Sequence, residues 1–224
     1  MDLVNKRLAA MRAAGKVQDI KAKGTAGEDA ALDIVHAYRS KRGGILKRGF
    51  MYPYASNRQN QVYLGNIFWD EEKQKFYDVT RQLEDEIDIL YISHYRIFAI
   101  EVKAYHDHTI VVDKAWMTRK GKRVDKSPFA QAEKHARHLY HQLYDVIPDG
   151  DPAYILPIVC FVDESTIDDQ RPTEMQHYLP ATVLNTLKQT MLNHDMPVDQ
   201  THFYTLDLDM IEQKLRSIER THSV

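Results

Sequence analysis

EIDILYISHYRIFAIEVKAY, residues 86–105, reads as two apolar strands joined by a tight turn. Each strand carries a carboxylate inside its apolar run: Asp88 near the start of the first and Glu101 near the end of the second, with Lys103 two residues on. Strand side chains alternate faces, so Glu101 and Lys103 share one and Val102 turns away. With Ser93-His94-Tyr95-Arg96 as the turn, Ile92 opposes Ile97 and Asp88 opposes Glu101, their Cβ atoms about 5 Å apart. Unpaired charge in a buried strand is costly, and two like charges this close repel. The bland resolution is an edge-strand ion pair between Lys103 and Glu101, with Asp88 capping a turn. The functional one is a divalent cation shared by both carboxylates. Mg²⁺ takes oxygen ligands, commonly one or two carboxylates with waters and phosphate oxygens. A neighbouring lysine can hold an attacking water or the charge that grows at phosphorus. This short pattern alone does not choose between them.

Upstream, Gly24 and Thr25 are expected to open a helix, TAGEDAALDIVHAYRS, whose apolar face is Gly27, Ala31, Ile34, Val35 and Tyr38. Its basic end, Arg39, Lys41 and Arg42, suits a helix C-terminus, and Gly43-Gly44 stops it. Glu28 follows Thr25 by three positions. That spacing is a capping box, but it also places Glu28 at the margin of the apolar face, within reach of a sheet end. Both readings stand. Strands are expected in ILKRGFMYPY, QVYLGNIFW, KFYDVT, a strand or hairpin over 109–119, and a doubly buried strand over 154–162.

A second helix starts at Ser127-Pro128, proline being favoured at the first helical position, and runs to about Val146. Ala132, Ala136, Leu139 and Leu143 make its core face. Gln131, His135, His138 and Gln142 line one flank, either as a polar boundary stripe or facing a site. His135 and His138, and separately His106 and His108, have spacings that could ligate zinc, but no further ligand is suitably spaced. Residues 181–192 and 207–219 also look helical. The order predicts one α/β domain with a mixed sheet.

With 224 residues, 43% hydrophobic and 28% charged, the chain has the composition of a globular domain. A net charge of −2 neither favours nor excludes a nucleic-acid partner. The single cysteine, Cys160, precludes a disulfide within the chain and fits a reducing, cytoplasmic setting. The N-terminal stretch has no signal-peptide pattern and no apolar run approaches a membrane span, so no membrane association is expected.

Taken together, Gly24-x-x-Gly27-Glu28, Ile87-Asp88, Ile100-Glu101-Val102-Lys103 and Pro128-x-x-Gln131 resemble the nuclease-related domain family of the PD-(D/E)xK nuclease superfamily. The resemblance covers about residues 24–145, and the sheet extends to 162. It implies a restriction-endonuclease-like core of a mixed central β-sheet flanked by helices. It also implies Asp88, Glu101 and the Val102 carbonyl as ligands for Mg²⁺ or Mn²⁺, Lys103 positioning or helping to deprotonate water, and Glu28 and Gln131 completing the catalytic set. Glu86 replaces a frequent glutamine, and Ala104 a frequent asparagine, leaving the metal set intact.

The implied activity is a metal-dependent endonuclease with weak sequence preference, acting on nucleic acid, most readily DNA. The alternative is a non-catalytic DNA-binding or scaffold protein that keeps the fold. Residues 114–126 supply a basic segment for phosphate contacts: Lys114, Arg119, Lys120, Lys122, Arg123 and Lys126, with Trp116 for base stacking. A second basic group is Arg39, Lys41, Arg42, Lys47 and Arg48. The expected organisation is an N-terminal helix or basic arm over 1–23, the nuclease core over 24–162, and a helical extension over 163–224 packed on the same domain. A homodimer is left open.

Overall fold

The computed structural model describes residues 16–53, 63–64, 67–70, 75–78, 84–105, 109–113, 117–119, 122–124, 127–162, 166–197 and 204–219. The first described element is a helix, α1 (Lys16–Arg42), eight residues longer at its start than the sequence pattern indicated. The T-x-x-E spacing that imitates a cap therefore lies mid-helix, with Thr25 exposed, and Glu28 caps nothing. Gly24 is carried inside the helix at the ordinary cost of about 1 kcal/mol relative to alanine. The Gly43-Gly44 pair does end the helix, the Gly43 N–H donating to the Arg39 carbonyl at 2.7 Å.

Strands follow: β1 (Ile45–Pro53), β2 (Tyr63–Leu64), β3 (Ile67–Asp70), β4 (Lys75–Asp78), β5 (Glu84–Ile92), β6 (Ile97–Lys103), β7 (Thr109–Val112), β8 (Met117–Arg119) and β9 (Lys122–Arg123). Helix α2 (Pro128–Leu143) carries the predicted proline at its start and a Ser127 cap on the Ala130 N–H. Two short 3₁₀ turns lead into β10 (Ile155–Phe161), all seven residues of which are buried. Then come β11 (Thr166–Asp169), α3 (Thr173–Tyr178), β12 (Ala181–Val183), α4 (Leu184–His194) and α5 (Leu208–Ile218).

The central sheet has the order β1-β5-β6-β10-β12. Its first three strands run antiparallel, whereas β10 is parallel to both β6 and β12. This is the mixed α/β sheet that the sequence predicted. One face buries Ala31, Val35 and Tyr38 of α1 with Leu187 and Met191 of α4 against Tyr91, Phe98, Ile100 and Ile158. The other buries Ala136, Leu139 and Leu143 of α2 with Ile211 and Leu215 of α5 against Ile92, Ile97 and Ala99. The C-terminal segment is thus partly sheet as well as helix, since β12 adds the fifth strand. Two smaller sheets have the orders β11-β7-β8-β9 and β2-β3-β4.

Strands β1 and β5 roll over partway along. Arg48 opposes Ile89, and Ile89 packs in the α1-side cluster. Two residues further, Phe50 opposes Ile87, and both pack in the α2-side cluster. Residues two apart on a regular strand share a face; these do not. Between the two pairs lie Gly49 and Asp88. Gly49 has φ 54, in the left-handed region that only glycine enters without a Cβ penalty. The sheet is deformed at the position of the first acidic residue.

Candidate active site

Strands β5 and β6 pair as the tight turn requires: Ile92 with Ile97, Tyr91 with Phe98, Leu90 with Ala99, Ile89 with Ile100. The Ser93 N–H closes the turn on the Arg96 carbonyl at 2.9 Å. Continuing the count sets Asp88 across from Glu101. There, a side chain takes over from the backbone ladder: Asp88 Oδ2 accepts the Val102 N–H at 2.7 Å. The roll at Gly49 therefore turns the Asp88 carboxyl inward along β6, beside Glu101.

Glu101 lies on the α2 side of the sheet and is 1% exposed. Lys103 Nζ donates to its Oε1. Its other oxygen, Oε2, is buried with no hydrogen-bond partner. His135 Nδ1 of α2 lies 3.2 Å from that oxygen, so the two face each other without a well-formed bond. Burial, followed by the Glu101 charge, pushes the Asp88 carboxyl up to about 7, against the lowering effects of the Val102 N–H and Lys103. For Lys103, burial alone would favour the neutral amine, but Glu101 and Asp88 together hold its proton more tightly than usual. The arrangement is two inward carboxyls that repel and one ammonium that only partly offsets them.

Glu28 reaches the same region from α1. Its Oε2 is 3.7 Å from Arg48 Nη2, and its charge contributes to raising Asp88. Arg48 Nη1 holds the adjacent Asp29 at 2.6 Å. Gly27 lets the helix approach this closely, because a Cβ there would lie 2.7 Å from Val162 Cγ2 at the end of β10. Gln131 sits on the first turn of α2 but is exposed. Among the described residues it makes no side-chain bond to Asp88, Glu101 or Lys103. Val102 holds its N–H on Asp88 while its side chain packs with the α1-side core.

Of the basic segment, Lys114, Trp116, Lys120 and Lys126 lie outside the described residues. Arg119, Lys122 and Arg123 are described as backbone only, in the β7-β8-β9 meander that follows β6. His106 and His108 also lie outside them. The second basic group is largely occupied within the fold. Lys47 pairs with Glu219 at 2.6 Å, Arg48 with Asp29, and Arg39 Nε with the Gly44 carbonyl, while Arg42 lies over the Tyr38 ring. The sequence left the flank of Gln131, His135, His138 and Gln142 either as a polar boundary stripe or facing a site; His135 is buried against Glu101, as the second of these has it.

A carboxylate with a buried, orphaned oxygen beside a second carboxyl that resists ionisation fits a cation better than it fits a plain ion pair. Among the described residues no three His, Cys, Asp or Glu side chains group to hold an ion by themselves. An ion here would draw on the two carboxylates and on backbone, water or substrate oxygens, which is the habit of Mg²⁺.

The mixed five-stranded sheet, flanked by helices and deformed where its acidic residues converge, has the architecture of a restriction-endonuclease-like α/β core. The family model described as "Nuclease-related domain" matches residues 23–162, and the chain belongs to that family. No curated protein and no solved structure matches the chain. The family assignment supports a nuclease-related function.

Proposed function

We propose that this protein is a metal-dependent nuclease that hydrolyses phosphodiester bonds, acting as a DNA endonuclease with weak sequence preference. The observation that carries the reading is the buried Glu101 Oε2 without a hydrogen-bond partner, next to an Asp88 carboxyl whose ionisation is opposed by burial and by Glu101. Such a pair is an unfavourable buried site unless positive charge is added to it.

Asp88 and Glu101 would hold Mg²⁺ or Mn²⁺, with the Val102 carbonyl as a further oxygen. When bound, the ion supplies a concentrated positive charge that polarises the scissile phosphate. The chain's own groups do the rest. Glu101 anchors Lys103 through Oε1, fixing the ammonium on the face shared by both residues. Held protonated by its acidic neighbours, Lys103 acts as a donor, orienting water and stabilising charge that develops on the phosphate oxygens. Glu28, drawn in by Gly27, adds negative potential that favours the cation. Gln131 supplies an amide at the rim, able to contact substrate or water. The basic residues from Lys114 to Lys126 follow β6 directly in sequence and would supply phosphate contacts, which give most sequence-independent affinity.

The test is cleavage of plasmid, single-stranded DNA and RNA in Mg²⁺, Mn²⁺ or EDTA, with Lys103→Ala as the control. Metal-dependent cutting of DNA that Lys103→Ala abolishes, with folding and DNA binding intact, is the expected result. Wild-type cutting rates in Lys103→Ala would remove Lys103 from the mechanism. No cutting in any metal would favour a non-catalytic DNA-binding protein on the same fold.

A further inference from the structure

The geometry points to His135 as a positioning residue for Glu101, an inference that rests on the nuclease reading above. His135 is 4% exposed; its Nδ1 stands beside Glu101 Oε2 without a formed bond, and a small turn of a neutral imidazole would bring an Nδ1–H donor onto that oxygen. Nδ1 is 3.2 Å from Glu101 Oε2, the oxygen left over once Lys103 has taken Oε1. Each oxygen of Glu101 thus faces its own nitrogen, one from β6 and one from α2.

The surroundings place His135 there. Ala132 and Ala136, on either side of it along α2, are small and buried, and Ala136 packs in the same cluster as Ala99 of β6. Small residues at facing positions let helix and strand approach, so a side chain of imidazole length spans the gap. Ala132 belongs to the cluster around Val159 and Phe161, whereas Ala136 belongs to the one around Ile97 and Ala99. His135 and Glu101 therefore lie in the seam between two apolar groups, where a misdirected carboxylate finds no solvent. From β1, Tyr52 donates its hydroxyl to the His135 carbonyl at 3.1 Å, tying this turn of α2 to the strand that carries Gly49.

A carboxylate with freedom at one oxygen would spread over several rotamers. An imidazole aimed at that oxygen limits it to the one that shares its face with Lys103. Partners that orient a metal-binding side chain in this way commonly change metal affinity about 10- to 100-fold when removed.

The experiment compares His135→Ala, His135→Asn and His135→Gln with wild type. Mn²⁺ affinity is read by calorimetry on the metal-free full chain, and the Mn²⁺ dependence of plasmid cleavage is measured alongside. Asparagine places its amide nitrogen where Nδ1 stands, and glutamine places it where Nε2 stands. The expected result is Mn²⁺ binding weakened about 10-fold or more in His135→Ala, largely restored in His135→Asn and not in His135→Gln, with thermal unfolding midpoints of the two amide variants alike. Equal Mn²⁺ affinity in wild type and His135→Ala, or equal affinity in the two amide variants, overturns the assignment while leaving the nuclease reading intact. Absence of Mn²⁺ binding and of cleavage in wild type overturns both.

Discussion

Replacing Asp88 by asparagine should stabilise the metal-free protein, by an amount that grows as pH rises from about 4 and levels off above about 7. The Asp88 carboxyl has an ordinary value of 3.8, and burial together with the Glu101 charge lifts it to about 7. A carboxyl held above its ordinary value supports the folded state fully at pH below 3.8, and that contribution is lost as pH rises through about 7. At 1.36 kcal/mol per decade of proton affinity, the interval corresponds to at most about 4 kcal/mol of folding free energy lost by pH 8. Asparagine removes the charge but keeps an oxygen to accept the Val102 N–H. In EDTA near pH 8, Asp88→Asn should therefore unfold several degrees above wild type, a domain of this size shifting by about 2–4 °C per kcal/mol. Near pH 4 the two proteins should unfold together. Excess Mg²⁺ should raise the midpoint of wild type and not that of the variant. Thermal unfolding followed by circular dichroism across this pH range is the assay. An Asp88→Asn protein less stable than wild type at pH 8, or a gap of the same size at both ends of the range, would refute the picture of two repelling buried carboxyls.

Other perturbations follow from the same geometry. Gly27→Ala should destabilise the protein by about 1–3 kcal/mol, because the new methyl meets Val162 Cγ2 at 2.7 Å; pairing it with Val162→Ala should recover most of the loss in a denaturant titration. Gly24→Ala, whose Cβ would meet nothing within 4 Å, should instead gain about 0.5–1 kcal/mol from helix propensity alone. Ser93→Ala should cost about 1–3 kcal/mol in the same titration, since it strips Asp195 Oδ1 of its hydroxyl partner and leaves Tyr38 on Oδ2 alone.

Much of the acidic site was legible before any coordinates. The tight turn at Ser93–Arg96 fixes the register, and the two-residue period then puts Glu101 and Lys103 on one face; both are local rules. What was not legible depended on features with no local signature. The start of α1 was misplaced because Thr25-x-x-Glu28 satisfies the spacing of a cap, which hid the apolar spacing that continues upstream through Ile20 and Val17. The roll of β1 over β5 had one clue, Gly49 inside a strand, where glycine often marks a distortion; which face each residue takes beyond it depends on packing against α1 and α2. For His135 the sequence left a polar stripe and a site-facing flank undecided, and did not single it out from Gln131, His138 and Gln142. The flanking Ala132 and Ala136 were the usable signal, since two small residues on a helix face indicate a close neighbour. Strand β12, three residues long, is defined by the edge of β10 that it covers rather than by its own sequence.

That last strand bears on where the folding unit ends. The family match stops at Val162, yet β10 is buried along its whole length and pairs on its far side with Ala181–Val183. A fragment trimmed to the matched residues would present Val159, Cys160 and Phe161 as a bare apolar edge, the kind of template on which chains stack into aggregates. The residues that the family match spans and the residues that cover the sheet's edge are different sets, and the second extends well past the first.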